Sequence, residues 1–130
     1  MQCGSTHVCT HTTAGHARHV VKTHCGGWVI QNTHVESGAA DVARDAREDQ
    51  IKQLSRLHDR ASVPDDEVFI LAGDFNLRDE EERPLLDEGW RDAWQWPEAL
   101  PGEAWTWSGH GCKARYDRVF VHHAQNGATV

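Results

Sequence analysis

Apolar and polar positions follow a definite period over only part of the chain. Trp28-Val29-Ile30-Gln31-Asn32-Thr33-His34-Val35 has the aromatic and β-branched content of a strand, and Ser37-Gly38 ends it. From Ala39 to about Ala61 the small and apolar residues Ala43, Ala46, Ile51, Leu54, Leu57 and Ala61 recur at spacings that put them on one face of an amphipathic helix. The opposite face, with Asp45, Arg47, Glu48, Asp49, Lys52 and Arg56, is expected to be solvated. Pro64-Asp65-Asp66 breaks the helix, and the continuous apolar run Val68-Phe69-Ile70-Leu71-Ala72 predicts a strand buried on both faces. The result is a strand–helix–strand unit of an α/β fold. Beyond Asn76 the chain is punctuated by Pro84, Gly89, Pro97, Pro101, Gly102, Gly109 and Gly111, so loops dominate until Arg118-Val119-Phe120-Val121-His122 alternates as a last strand. Residues 1–27, rich in His, Cys, Thr and Gly, show neither period; an irregular lead-in is expected there, with the domain proper in 28–130.

Composition narrows the function classes. A chain of 130 residues has room for one domain. Its net charge of −7 removes the general argument for a basic, nucleic-acid-binding surface, so any contact with a polyanion must be local. The charge is uneven: residues 1–35 carry Arg18 and Lys22 and no acid, and the acid excess lies entirely beyond them. No apolar run is long enough for a membrane span, and nothing at the beginning resembles a secretory signal. Cys3, Cys9, Cys25 and Cys112 are therefore expected to be reduced thiols.

The string Leu71-Ala72-Gly73-Asp74-Phe75-Asn76-Leu77-Arg78-Asp79 is the richest in candidate chemistry. If the backbone stays extended, Asp74 and Asn76 share one side and Phe75 points into the core. A carboxylate at such a strand end can orient and deprotonate water, the amide can hold that water or a phosphoryl oxygen, and Arg78 can fork onto a phosphate. A capped turn, with Asp and Asn bonded to their own backbone, competes with that reading. At the end of the preceding strand, His34 can donate to a phosphate oxygen, and Ser37 precedes a helix with free N–H groups; alternatively, His34 is a surface histidine and Ser37 an N-cap. Glu36 is a lone carboxylate and weak as a metal ligand. A third string, Cys112-Lys113-Ala114-Arg115-Tyr116-Asp117-Arg118-Val119-Phe120, sets three cations around one carboxylate, which is also how a surface ion-pair cluster reads.

In order along the chain, Asn-Thr-His-x-Glu-Ser, Ala-Gly-Asp-Phe-Asn-Leu-Arg-Asp, Gly-Trp-x-Asp-Ala-Trp, Thr-Trp and Cys-Lys-x-Arg-Tyr-Asp-Arg-Val-Phe resemble the endonuclease/exonuclease/phosphatase superfamily, and within it the 5′-tyrosyl-DNA phosphodiesterases. The resemblance implies part of a two-sheet αββα sandwich, incomplete at both ends. It also implies a metal-dependent phosphodiesterase using Mg²⁺, with Mn²⁺ as the substitute, on DNA with a 5′-phosphotyrosyl end, as a nuclear, otherwise cytoplasmic, monomeric repair enzyme. Residue by residue, Asp74 matches the water-activating aspartate, touching metal through water. Asn76 matches the asparagine that holds water and phosphate, and Asp117 the aspartate that orients the catalytic histidine. His34 and Ser37 match a phosphate-contacting pair, Arg78 the arginine near the scissile bond, and Trp107 an aromatic of the DNA groove, with Lys113 and Arg115 near phosphates. Arg78, Lys113, Arg115 and Arg118 would line the groove despite the net negative charge.

Two motifs of the pattern are missing. The stretch before Trp28 has no acid to match the metal-binding glutamate, and no Ser-Asp-His string supplies the histidine that Asp117 would orient. At most trace turnover is expected of the 130-residue chain. Two other functions compete. One is a different hydrolase of the superfamily, an abasic endonuclease or a lipid or inositol phosphatase. The other is a zinc-binding module on Cys3, His7, Cys9, His11, His16, His19, His24 and Cys25, whose ligand types suit zinc but whose spacings match no standard finger. The exposed acids, Glu80, Glu81 and Glu82 among them, are expected to be solvated, and the tryptophans other than Trp107 structural.

Overall fold

The computed structural model describes residues 3–13, 16–56, 67–78, 80–95 and 102–123, with side chains described from Val20 onward. Strands β1 (Cys3–Thr13), β2 (His16–Cys25) and β3 (Trp28–His34) lead into helix α1 (Asp41–Ser55) and strand β4 (Val68–Asp74). A short helix α2 (Arg83–Asp87), a two-residue strand β5 (Arg91–Asp92) and a 3-10 turn (Ala93–Gln95) follow. The hairpin β6 (Trp107–Gly109) and β7 (Cys112–Ala114) precedes the last strand, β8 (Asp117–His123). Six strands form one sheet in the order β1-β2-β3-β4-β8-β5, while β6 and β7 pair separately. Among the described strands only β3 and β4 run parallel, with α1 as their crossover, which is the strand–helix–strand unit the sequence predicted.

The irregular lead-in expected over residues 1–27 is corrected, because β1 and β2 form an antiparallel hairpin and β2 pairs with β3 from Val20↔Thr33 to Cys25↔Trp28. Thr and Val favour the extended state there, although no polar–apolar alternation marks it. Helix α1 runs Asp41–Ser55 with Arg56 as its C-cap, inside the expected Ala39–Ala61, and Leu57 and Ala61 lie outside the described residues. Cys25 is disulfide-bonded, which corrects the reading of four reduced thiols, whereas Cys112 is free.

The core lies between α1 and one face of the sheet. Along β3 burial alternates strictly, sending Val29, Gln31 and Thr33 inward and Trp28, Ile30, Asn32 and His34 outward. Val29, Phe69, Leu71 and Phe120 meet Ile51 and Leu54 of α1 in a cluster extended by Phe75, Leu85 and Trp90, and the indole of Trp90 donates to the Ser55 carbonyl at 2.9 Å. Among the described residues nothing comparable covers the opposite face. Val21, Trp28, Ile30 and Val119 are each about 40% exposed there, on strands whose registers place them beside Ile70 and Ala72. One helix layer and one sheet layer are thus complete, as in an unfinished two-sheet sandwich. No helix among the described residues is long and apolar enough to cross a membrane.

Candidate active site

Three candidate residues stand in a row. Pairing aligns His34 of β3 with Asp74 of β4, and Asp74 with Asp117 of β8, so one imidazole and two carboxylates occupy the same end of three adjacent strands. They lie on the open face of the sheet. His34 Nε2 is 3.6 Å from Asp74 Oδ2, both groups reach solvent (59% and 39% exposed), and the two can share a hydrogen-bonded water.

The turn after β4 is tightly built. Gly73 has φ 144°, and a Cβ there would sit 2.0 Å from the Thr33 carbonyl oxygen, so only glycine permits this approach to β3. Beyond Asp74 the extended alternation expected from the sequence stops. Asn76 takes a left-handed φ of 49°, its N–H donates to Asp74 Oδ1 at 3.0 Å, and its side-chain amide donates to the Val35 carbonyl at 2.8 Å. The capped turn is thus what forms: Asp74 Oδ1 accepts from the Asn76 N–H, while Oδ2 is left facing His34. Phe75 turns into the core as expected and meets Phe120 edge-on, and its N–H donates to the Tyr116 carbonyl at 2.7 Å.

That last bond brings the third string to the site. The Arg78 guanidinium lies over the Tyr116 ring, 5.1 Å from its centroid, and the Trp107 ring meets Tyr116 at a tilt of 44°, with centroids 5.6 Å apart. Arg78 also donates to the Asn76 carbonyl. A cluster of cation, phenol and indole thus adjoins the carboxylate row, through Tyr116 next to Asp117. Other candidates are placed differently. Arg115 gives both terminal nitrogens to Asp92, at 2.9 and 2.6 Å, and Arg118 lies near the same carboxylate and Glu82. Burial and the neighbouring Arg115 charge push the Arg118 guanidinium below its ordinary value. Lys113 stands over Trp105 and 3.8 Å from Glu103. Ser37 is exposed and three positions short of the helix cap, which is Ala40, so it caps nothing. Glu36 is buried and accepts from its neighbour Ser37 N–H at 3.3 Å.

Sequence reasoning missed several residues around the site. Arg47 and Glu81, expected in solvent, form an ion pair at 2.7 Å that buries Arg47 and half-buries Glu81, and Gln50 beside them accepts the Glu36 N–H at 2.8 Å. Their spacing was the available signal: position 47 lies four from Ala43 and Ile51, and position 50 four from Ala46 and Leu54, on the apolar stripe. Trp94 and Trp105, with Asp74, Asp92, Asp117 and Arg118, line a cleft of about 480 Å³ floored by Ala72 and Val119. Among the described residues no group of three or more His, Cys, Asp and Glu is arranged to hold a metal. Most of the zinc-module residues have side chains outside the described set, and the disulfide at Cys25 withdraws that sulfur from zinc binding.

Comparison with known proteins gives three findings. The profile described as "Endonuclease/Exonuclease/phosphatase family" matches residues 6–127. No curated protein matches the chain. Among solved structures, a truncated TDP2 from Caenorhabditis elegans is 23% identical with a TM-score of 0.71, over 92% of this chain and 52% of that one. TDP2 of D. rerio, complexed with single-strand DNA product, is 19% identical with a TM-score of 0.72, over 99% and 56%. A β-hairpin deletion mutant of beta toxin from Staphylococcus aureus is 19% identical with a TM-score of 0.63, over 85% and 45%. The chain spans about half the length of the solved structures that it matches.

Proposed function

Because the chain belongs to the Endonuclease/Exonuclease/phosphatase family, we propose that it provides part of a phosphodiesterase site acting on DNA that carries a tyrosine on its 5′ phosphate, as the name tyrosyl-DNA phosphodiesterase 2 describes. The observation that carries this reading is the row His34–Asp74–Asp117, with the Arg78–Tyr116–Trp107 cluster beside it. Asp74 Oδ2 accepts a proton from the attacking water, and the turn at Asn76 fixes the carboxylate through Oδ1. His34 donates to a non-bridging phosphate oxygen, Arg78 meets the phosphodiester with its planar fork, and Trp107 offers a ring face to a base or sugar. Lys113 can reach a flanking phosphate by leaving Glu103, since both are exposed. Arg115 serves chiefly to hold Asp92.

Enzymes of this family generally use divalent metals, and Mg²⁺, replaceable by Mn²⁺, is the cofactor proposed for the whole protein. The described residues do not build its site alone. Mg²⁺ wants six oxygens in octahedral array, whereas this end of the sheet offers the carboxylates of Asp74 and Asp117, one already engaged in the turn. The steps above therefore run through side chains of the chain itself. Nuclear work on DNA goes with the reading.

The test is single-turnover release of tyrosine from a 5′-phosphotyrosyl oligonucleotide, protein in excess, with Mg²⁺, against an abasic-site duplex. The tyrosyl end is expected to be the better substrate, and Asp74→Asn to slow its release by about 10² or more. Equal rates in wild type and Asp74→Asn, or faster cleavage of abasic DNA, would defeat the proposal.

A further inference from the structure

We propose that Arg47 and Gln50, one turn apart on α1, act together as a positioning brace for the phosphate-contacting end of the site; the inference deepens the function proposed above and rests on it. Arg47 is 1% exposed, and its guanidinium donates in two directions. Toward the loop after β3, Nη1 donates to the Gly38 carbonyl at 2.7 Å and makes a longer contact of 3.4 Å with the Glu36 carbonyl. Toward the segment after Arg78, Nε and Nη2 hold the two oxygens of Glu81 at 2.7 and 3.1 Å, a fork-on-fork pair. Gln50 secures the first loop from the other side by accepting the Glu36 N–H at 2.8 Å.

The brace thus grips the chain just beyond both halves of the site. The loop at Glu36–Gly38 begins two residues after His34 and contains Ser37, while Glu81 lies three residues after Arg78. Between them, Val35 N–H donates to the Asp74 carbonyl and the Asn76 amide donates to the Val35 carbonyl, both at 2.8 Å, so a shift of the first loop is passed to the carboxylate turn. Lysine cannot replace this arginine, because a single ammonium cannot meet a carboxylate and a backbone carbonyl in a fixed fork. Arg47 touches neither carboxylate of the row, so it is a positioning residue.

The experiment uses the whole chain, ¹⁵N-labelled, with Arg47→Lys, Glu81→Gln and, as a destabilising change packed against the far end of the same helix, Trp90→Phe. Three quantities are read: the urea midpoint, the NMR signals of the His34 ring, Ser37, Gly38 and the Asn76 side-chain amide, and affinity for a 5′-phosphorylated single-stranded oligonucleotide. All three variants should lose stability. Only Arg47→Lys and Glu81→Gln should move the site signals and weaken oligonucleotide binding, by about tenfold or more. Site signals and affinity that follow stability alone, with Trp90→Phe indistinguishable from Arg47→Lys, would overturn the brace. If Arg47→Lys does not fold, Glu81→Gln removes half of the fork charge at a partly exposed group and decides the question. If the wild type itself binds no oligonucleotide, the functional proposal falls, while the site signals still decide the positioning claim.

Discussion

A methyl group at position 73 has nowhere to go. Its Cβ would lie 2.0 Å from the Thr33 carbonyl at a backbone angle that L residues rarely adopt, so Gly73→Ala is expected to cost about 3 kcal/mol in denaturant unfolding and to separate β3 from β4 beside the site. Asn76 is legible in the sequence as a site residue but not as a hinge. Its left-handed turn and its bond to Val35 emerge only when β3 and β4 are paired, and Asn76→Ala should lose about 1–3 kcal/mol from the buried bond and the strained backbone together. Gln31 gives the opposite sign. The alternation in β3 sends it fully inside, where neither its amide nitrogen nor its oxygen has a partner among the described residues. Gln31→Met, which fills similar space without polar atoms, should raise stability by about 1–2 kcal/mol in the same measurement.

At the scale of elements, periodicity was a good guide wherever one face of an element is buried against another. It placed α1 and β8, while residue content placed β3 and a continuous apolar run placed β4; the expectation that β4 is buried on both faces is corrected, since only Phe69 and Leu71 on its helix-facing side are buried. It failed for β1 and β2, whose Thr-, His- and Cys-rich residues carry no such contrast; their pairing is set by the neighbouring edge of β3. It also failed where a polar residue occupies an apolar stripe, as Arg47 does, since the carboxylate that compensates it comes from a segment 34 residues away. The ion cluster joining β5, β8 and the residues before β8 is of the same kind. Asp92 is buried with Arg115 bonded to both its oxygens and Arg118 at 3.6 Å, so Asp92→Ala takes Arg115's carboxylate away and leaves Arg118 only the more distant Glu82. A loss of about 3–5 kcal/mol is expected from thermal or urea unfolding, against well under 1 kcal/mol for breaking an exposed surface pair on a helix.

For the whole molecule, the important asymmetry is between the two faces of the sheet. One is closed by α1 and α2; the other presents Val21, Trp28, Ile30 and Val119 beside the carboxylate row. Solved structures about twice as long share this fold, and an apolar face of that extent is expected to bind a hydrophobic dye. Ile30→Thr with Val119→Thr should reduce dye binding while leaving the cooperative unfolding transition in place, because neither residue belongs to the core cluster. The site itself was legible because its residues cluster in short strings at strand ends; the alignment of His34, Asp74 and Asp117 in one row depended on a register that no string contains. That row is the central claim. Its most direct test is ¹H–¹⁵N shift mapping of the chain titrated with a 5′-phosphorylated single-stranded oligonucleotide in the presence of Mg²⁺. Shifts are expected to concentrate at His34, Asp74, Asn76, Arg78, Trp107 and Asp117; shifts confined to the β1–β2 hairpin or to the outer face of α1, or none at saturating oligonucleotide, would rule the row out as the binding site.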